Sequence, residues 1–367
     1  MNKLNKDKII GYVFLLFAKN EGFFDYSKYC KGTVLSTDFA VSALNLLLGC
    51  DVLNAEKDKI IEYLKKSVND NILIVDKKFD ILDTSGNHKE DYIKLQSTFF
   101  TLIALDILGV KFDNLLFIEK YFEEDVLTDW FDNLDWSRFW YESNKIMFMM
   151  YFFSYIIFYG NDNNKNQAKK CIEICFDVLN KKQDKNTGYW GTNLNGNNLV
   201  DGAFGAAHIF LFYDYFKKEI QYKKKIIDST LTLHSENGFF GDEGGACEDY
   251  DLIEIYLRVL KQTDYKKSEI IEELKKIRNE IINSQNKDGG FSYKFYKPKS
   301  VFEKIFKSKS KKVTYKYSSW NKMETPVYFS DLWGTYFRSL SLVALDLLID
   351  NKKEYNSYHL PGWGYIE

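Results

Sequence analysis

One short phrase recurs along this chain: a polar run, a glycine, then aromatic residues. The copies are Asn20-Glu21-Gly22-Phe23-Phe24, Gln183 to Gly188-Tyr189-Trp190, Glu236-Asn237-Gly238-Phe239-Phe240, and Gln285 to Gly289-Gly290-Phe291. The last three of these glycines lie 50 and 51 residues apart (238 − 188 and 289 − 238). A fixed period of this size means that one supersecondary unit is stacked repeatedly, and that neighbouring copies must bury each other's apolar faces.

Between the glycine turns the pattern is helical and of two kinds. Apolar helices are expected at Ala40–Leu48, Phe99–Leu108, Ala203–Tyr215, Leu252–Leu260 and Thr335–Leu348. Wetter segments such as Lys57–Lys66, Lys169–Lys181, Lys223–Leu233 and Lys266–Asn283 carry charges around one apolar stripe. Only three prolines interrupt 367 residues, and 45% of the chain is hydrophobic, which excludes disorder. Apolar inner helices alternating with amphipathic outer ones predict an all-α fold, an α/α toroid (an α/α6-type barrel) of helix-pair repeats. It would use residues 1–367 as one domain, with an open α-solenoid as the structural alternative.

Gln183-x4-Gly188-x-Trp190 and Gln285-x3-Gly289-x-Phe291 resemble the QW repeats of squalene and terpenoid cyclases. The related protein prenyltransferase β-subunits share such Gly-aromatic turns. The resemblance runs from about Gly22 to Leu348 as a repeat pattern and implies a toroid whose central cavity handles isoprenoid-type substrates. In such repeats the Gln and Trp are expected to lock neighbouring units together.

Parallel inner helices would gather their N-termini at one mouth of the ring. Asp38, Gln96, Asp201, Glu248, Asp249, Asp251 and Asp331 would converge there, with Asn45, Ile103, His208, Tyr256 and Arg338 two turns deeper. Polar groups inside apolar helices are costly unless paired or used. Three carboxylates in Glu248-Asp249-Tyr250-Asp251 repel one another, so one should hold its proton. Asp249, flanked by Glu248 and Asp251, is the expected acid, with Asp201 and His208 completing the catalytic set. Tyr256, Arg338, Asp331, Trp333, Asp38, Trp140 and Tyr141 are the expected substrate-binding residues. A helix N-cap cluster and cross-ring hydrogen bonds account for the same residues without chemistry.

The acidic string is similar to the DxDD motif of class II terpenoid cyclases but does not match it. Resemblance to the prenyltransferases implies zinc held by Asp, Cys and His. Cys247, Asp249 and His359 (or His208) supply those types, but with the family's Asp-before-Cys order reversed. The expectation is no cofactor, zinc or magnesium being the alternative.

A basic insertion, Lys294–Lys316, holds nine lysines and one acid, Glu303, against a whole-chain net charge of −2. Around Val301, Phe302, Ile305 and Phe306 it would rest on an anionic membrane, steer a pyrophosphate through Lys309, Lys311 and Lys312, or stay solvated. No nucleic-acid partner is expected. Lys3, Lys6 and Lys8 before Ile9–Ala18 mimic a signal peptide, but Ala18-Lys19-Asn20-Glu21 offers no cleavage site. Five cysteines without framework spacing suit a reducing compartment. The expected location is cytoplasmic, at most membrane-peripheral.

These features predict an enzyme, similar to terpenoid cyclases and prenyltransferases, acting by carboxylate acid catalysis on a small-molecule or lipid-linked isoprenoid. Two other classes fit the same residues. One is a carbohydrate-active toroid (saccharide lyase, hydrolase or epimerase, as in surface polysaccharide biosynthesis). The other is a non-catalytic binding ring.

Overall fold

The computed structural model describes residues 5–69, 74, 90–191, 198–235, 238–240, 244–294, 314–316, 323–326 and 328–367. Most of the basic insertion, with Lys309, Lys311 and Lys312, lies outside the described residues. Outer and inner helices alternate: α1 (Lys6–Leu15) outside, α2 (Val34–Leu48) inside, α3 (Lys57–Lys65) outside, α4 (Glu90–Ile107) inside. The same alternation continues with α5 (Glu124–Asp132) and α6 (Phe139–Tyr159), then α7 (Asp162–Lys182) and α8 (Leu199–Tyr215). It ends with α9 (Lys223–Leu231) and α10 (Ala246–Val259), then α11 (Lys267–Asn283) and α12 (Leu332–Asp350). Each inner helix packs on the next, and α12 returns to α2. That closure makes an α/α toroid and rules out the open solenoid.

Composition assigns the layers. Helix α2 is buried from Val34 almost to its end, whereas α9 buries only Ile226, Ile227 and Thr230. Two short antiparallel pairs decorate the ring, β1 (Phe17–Ala18) with β2 (Phe23–Phe24) and β3 (Thr314–Lys316) with β4 (Glu324–Pro326).

The repeated glycines explain why the units stack at a fixed period. Each Gly turn follows one outer helix and presses its backbone onto the next. Gly22 meets Lys59 of α3, Gly188 meets Ile226 of α9, and Gly238 meets Ile277 of α11. Gly289, after α11, closes the circle on α1: a Cβ there would lie 2.2 Å from the Lys8 carbonyl oxygen, and its φ is +96°. No residue with a side chain fits that approach. The Gln of the motif braces its own turn rather than a neighbour, since Gln183 Nε2 donates to Gly188 O and Gln285 Nε2 to Gly289 O, both at 2.8 Å. Trp190 joins units as expected. Its indole donates to Leu179 O at 2.8 Å and its ring packs on Phe139 and Phe210.

After α12 the chain does not leave the ring. Residues 357–366 form a finger inserted into the far mouth, at the C-terminal ends of the inner helices. Tyr358 N donates to Gly364 O at 2.8 Å and Tyr365 N to Gly362 O at 3.0 Å, folding the finger back on itself. Tyr358 donates to Asp106 of α4 at 2.7 Å and also bonds Tyr151 of α6 at 2.9 Å. Arg258 of α10, fully buried, is neutralised by Glu254 and Asp214 and donates to Tyr365 O at 2.5 Å. Trp363 stands at the finger's tip, buried against His208, Tyr250 and Phe337.

Gly289→Ala should cost about 2 kcal/mol or more, because strain at positive φ and a backbone clash add. Gly11→Ala, in an exposed turn of α1 with nothing near its Cβ, should instead add about 0.5–1 kcal/mol. Thermal melts of the two variants should therefore move in opposite directions.

Candidate active site

The ring encloses a cavity of about 480 Å³ near the N-terminal ends of the inner helices. Its apolar wall is aromatic: Tyr92 of α4, Trp140 and Tyr141 of α6, Trp333 and Phe337 of α12, and Trp363 from the finger. Its polar surface comes from Gln96, Arg138, Asn144, Asn198, Asp201 and Asp251, with His208, Cys247 and Tyr293.

Asp251 and His208 meet in this lining. Asp251 is 1% exposed, and neither of its oxygens has hydrogen-bond geometry with another described residue. His208 Nε2 lies 3.7 Å from Asp251 Oδ1. Burial, reinforced by Glu248 and Glu254, drives the Asp251 carboxyl well above the carboxylate range, with the Trp140 indole pulling the other way. Burial also drives His208 down to about 3. Both shifts disfavour charge, and so favour a carboxylic acid beside a neutral imidazole. Ser143 Oγ donates to Trp140 O at 2.9 Å and lies 2.8 Å from His208 Nδ1. With that hydroxyl proton spent on the carbonyl, Nδ1–H is the donor to Ser143, and the Nε2 lone pair faces Asp251.

Asp201 also lines the cavity and accepts from Trp140 N at 3.1 Å, so it caps the start of the neighbouring α6 rather than its own helix. Burial raises its carboxyl as well. Trp333, Trp140 and Tyr141 lie in the wall.

The remaining expected site residues lie outside the lining. Asp249 is fully buried against α12, ion-paired with Arg338 and accepting from Phe240 N at 3.1 Å. Arg338 also donates to Gly244 O at 3.0 Å. Burial lifts Asp249 to about 6 while Arg338 holds it down, so at neutral pH it is mainly an anion held in that ion pair. Glu248 accepts from Cys247 Sγ at 3.0 Å and from the Tyr293 hydroxyl. Asp38 accepts from Thr101 at 2.7 Å, joining α2 to α4. Asp331 is the N-cap of α12, accepting from Gly334 N at 2.6 Å, and burial raises it to about 7. Tyr256 turns away from the bore to bond His234 Nε2 at 2.9 Å.

Cys247, Asp249 and His359 are not brought together. His359 sits at the far mouth, 3.3 Å from Asp106 and 2.9 Å from the Tyr159 hydroxyl, whereas Cys247 and Asp249 open α10. Among the described residues no group of three His, Cys, Asp or Glu side chains is arranged to hold a metal ion.

Residues 1–81 and 125–299, well over half of the chain, match the prenyltransferase alpha-alpha toroid domain model. The chain belongs to that family. This toroid is also similar in fold to a type II terpene cyclase from Scytonema, MstE, solved as an Arg-to-Ala variant with its substrate geranylgeranyl dihydroxybenzoate. Identity is 12% over 94% of this chain and 99% of that one, with a TM-score of 0.49. A family 88 glycosyl hydrolase from Bacteroides vulgatus is 12% identical over 94% of this chain and 98% of that one, with a TM-score of 0.46. No curated protein matches the chain.

Within this toroid the two neighbouring acids should respond oppositely to neutralisation. Asp249→Asn strands a buried Arg338 and should cost about 3 kcal/mol or more. Asp251→Asn replaces a buried carboxyl that no cation offsets among the described residues with a neutral isostere, and should melt at or above the wild-type temperature. The gap should also depend on pH. A raised folded-state value means that the Asp251 contribution is complete below about pH 4 and is lost as pH rises through that value. Asp251→Asn should therefore gain on wild type as the buffer becomes more alkaline.

Proposed function

We propose that this toroid is an acid-catalysed enzyme acting on an isoprenoid-type substrate, with Asp251 as the proton donor. One observation carries the reading: a carboxyl buried beside an imidazole in a cavity walled by aromatic faces, where burial favours its protonated form. Transfer of the Asp251 proton to an alkene or epoxide forms a C–H or O–H bond and leaves positive charge on carbon. The faces of Trp140, Trp333, Phe337 and Trp363 then stabilise that charge by cation–π attraction. Loss of a proton from a neighbouring carbon, returned to the Asp251–His208 pair, restores the acid. His208 has a lone pair turned towards Asp251 and positions it. Tyr256, Arg338 and Asp249 hold the ring and take no part in the chemistry.

Protonation is favoured over ionisation of a diphosphate because of the lining's charge. Among the described residues there, Arg138 is the sole Lys or Arg and stands against Asp201 and Asp251. Among these described residues a diphosphate would meet two carboxyl groups and one cation.

Turnover of linear prenyl compounds that start from a terminal alkene, in heavy water, tests this directly. The product should carry one deuterium at the site of initiation, and Asp251→Asn should lower the rate by about 10³-fold or more at unchanged fold. The rate should fall as pH rises through the elevated Asp251 value, since the protonated form is the active one. A product without deuterium, or full activity in Asp251→Asn, would sink the assignment.

A second reading draws on Asp201. Two carboxyl groups in an aromatic cleft also suit glycoside cleavage, in which both are required. Asp201→Asn would then be as damaging as Asp251→Asn, whereas the first reading leaves Asp201→Asn with substantial activity. Thermal shifts with oligosaccharides and with prenyl compounds separate the two ligand classes.

A further inference from the structure

The walls and the floor of the cavity have different origins. Helical residues such as Tyr92, Trp140 and Phe337 line the wall on elements that also build the ring, so altering them disturbs the fold. The floor comes from the finger after α12, and its tip is one side chain, Trp363.

That tip is fixed in height. Behind it, Gly362 is wedged so that a Cβ would lie 3.0 Å from Ile103 Cδ1 and 3.4 Å from Tyr151 Cδ2. Gly364, at φ +104°, turns the chain back towards the far mouth. The finger's base is tied by Tyr358 to Asp106 and by Tyr365 O to Arg258. It can neither sink nor rise without breaking these contacts. Its indole packs at 5.3 Å on Tyr250, 5.8 Å on Phe337 and 5.4 Å on His208. Beside Gly362, next to the tip, the nearest atoms are carbons of Phe99, Ile103 and Tyr151, and the Tyr151 hydroxyl is taken up by Tyr358, so this side of the tip suits hydrocarbon rather than hydroxyls.

We propose that Trp363 sets the chain-length limit of the cavity, admitting a hydrocarbon tail only as far as its indole. This rests on the isoprenoid reading of the same site and assigns the length selectivity within it. Trp363 is a specificity residue, distinct from the acid.

The experiment uses the full chain in three forms, wild type, Trp363→Ala and Trp363→Phe. Each is offered prenyl compounds with one head group and ten, fifteen, twenty or twenty-five carbons. Turnover is measured in the active proteins, and binding by thermal shift in the same three forms carrying Asp251→Asn. Wild type should show an optimum length, and Trp363→Ala should move it up by about one five-carbon unit. Its preference for the longer chain should rise about tenfold or more, the scale on which apolar pockets discriminate. Trp363→Phe, which keeps an aromatic tip and guards against loss of the fold, should fall between the two. An unchanged optimum in a folded Trp363→Ala or Trp363→Phe protein overturns the assignment and leaves the isoprenoid reading standing. Failure of wild type to bind any prenyl chain overturns both.

Discussion

Everything in this molecule rests on how closely consecutive outer helices can approach the turns beside them. Four glycines permit backbone-to-helix contact at Lys59, Ile226, Ile277 and Lys8, and the last returns the chain to its first helix. A side chain at any of them would hold a unit away from its neighbour. Spread around a circle, such a gap would leave α12 unable to meet α2. The cavity is thus a by-product of closure: it exists because inner helices that are apolar nearly all round have no other place to bury their faces.

Buried charge inside the ring is divided between two uses. Arg338 with Asp249, and Arg258 with Glu254 and Asp214, are complete sets whose partners come from different inner helices or from successive turns of one. Removing one member of such a set strands the other, so they specify how the helices are arranged. Asp251 differs, because its neighbours Glu248 and Glu254 repel its charge and its nearest base is a neutral imidazole. A buried acid without a cation to offset it, among the described residues, costs stability without tying helices together. That combination marks chemistry more often than architecture.

The toroid was legible in the sequence because its signals are periodic: a glycine every fifty residues and alternating greasy and wet helices. The mouth of the cavity was partly legible for the same reason, since polar residues opening the apolar helices included Asp201 and Asp251, and Trp333 stood beside another such residue, Asp331. Choosing between Asp249 and Asp251 was not. Two residues turn a helix by about 200°, so one of the pair faces α12 and the other the bore. Without the rotation of α10 the acidic string reads as one cluster. Tyr256, seven residues after Asp249, went astray with it. The finger was hidden for another reason. Pro361-Gly362 and Gly364 announce a turn, but no periodicity says where a turn docks, and Tyr358 to Ile366 resemble a tail leaving the ring.

The parallel arrangement of the inner helices has an electrical consequence for whatever occupies the bore. Their amide dipoles add along a common axis, positive where the chain enters each helix and negative beside the finger. A ligand held there lies in a potential that slopes downward with depth for positive charge. At the open end the positive helix ends offset the carboxyl groups of Asp201 and Asp251, and a positive charge formed in the bore would be drawn inward, towards Trp363 and the carbonyl ends beyond it. The scaffold thereby polarises its contents before any side chain acts.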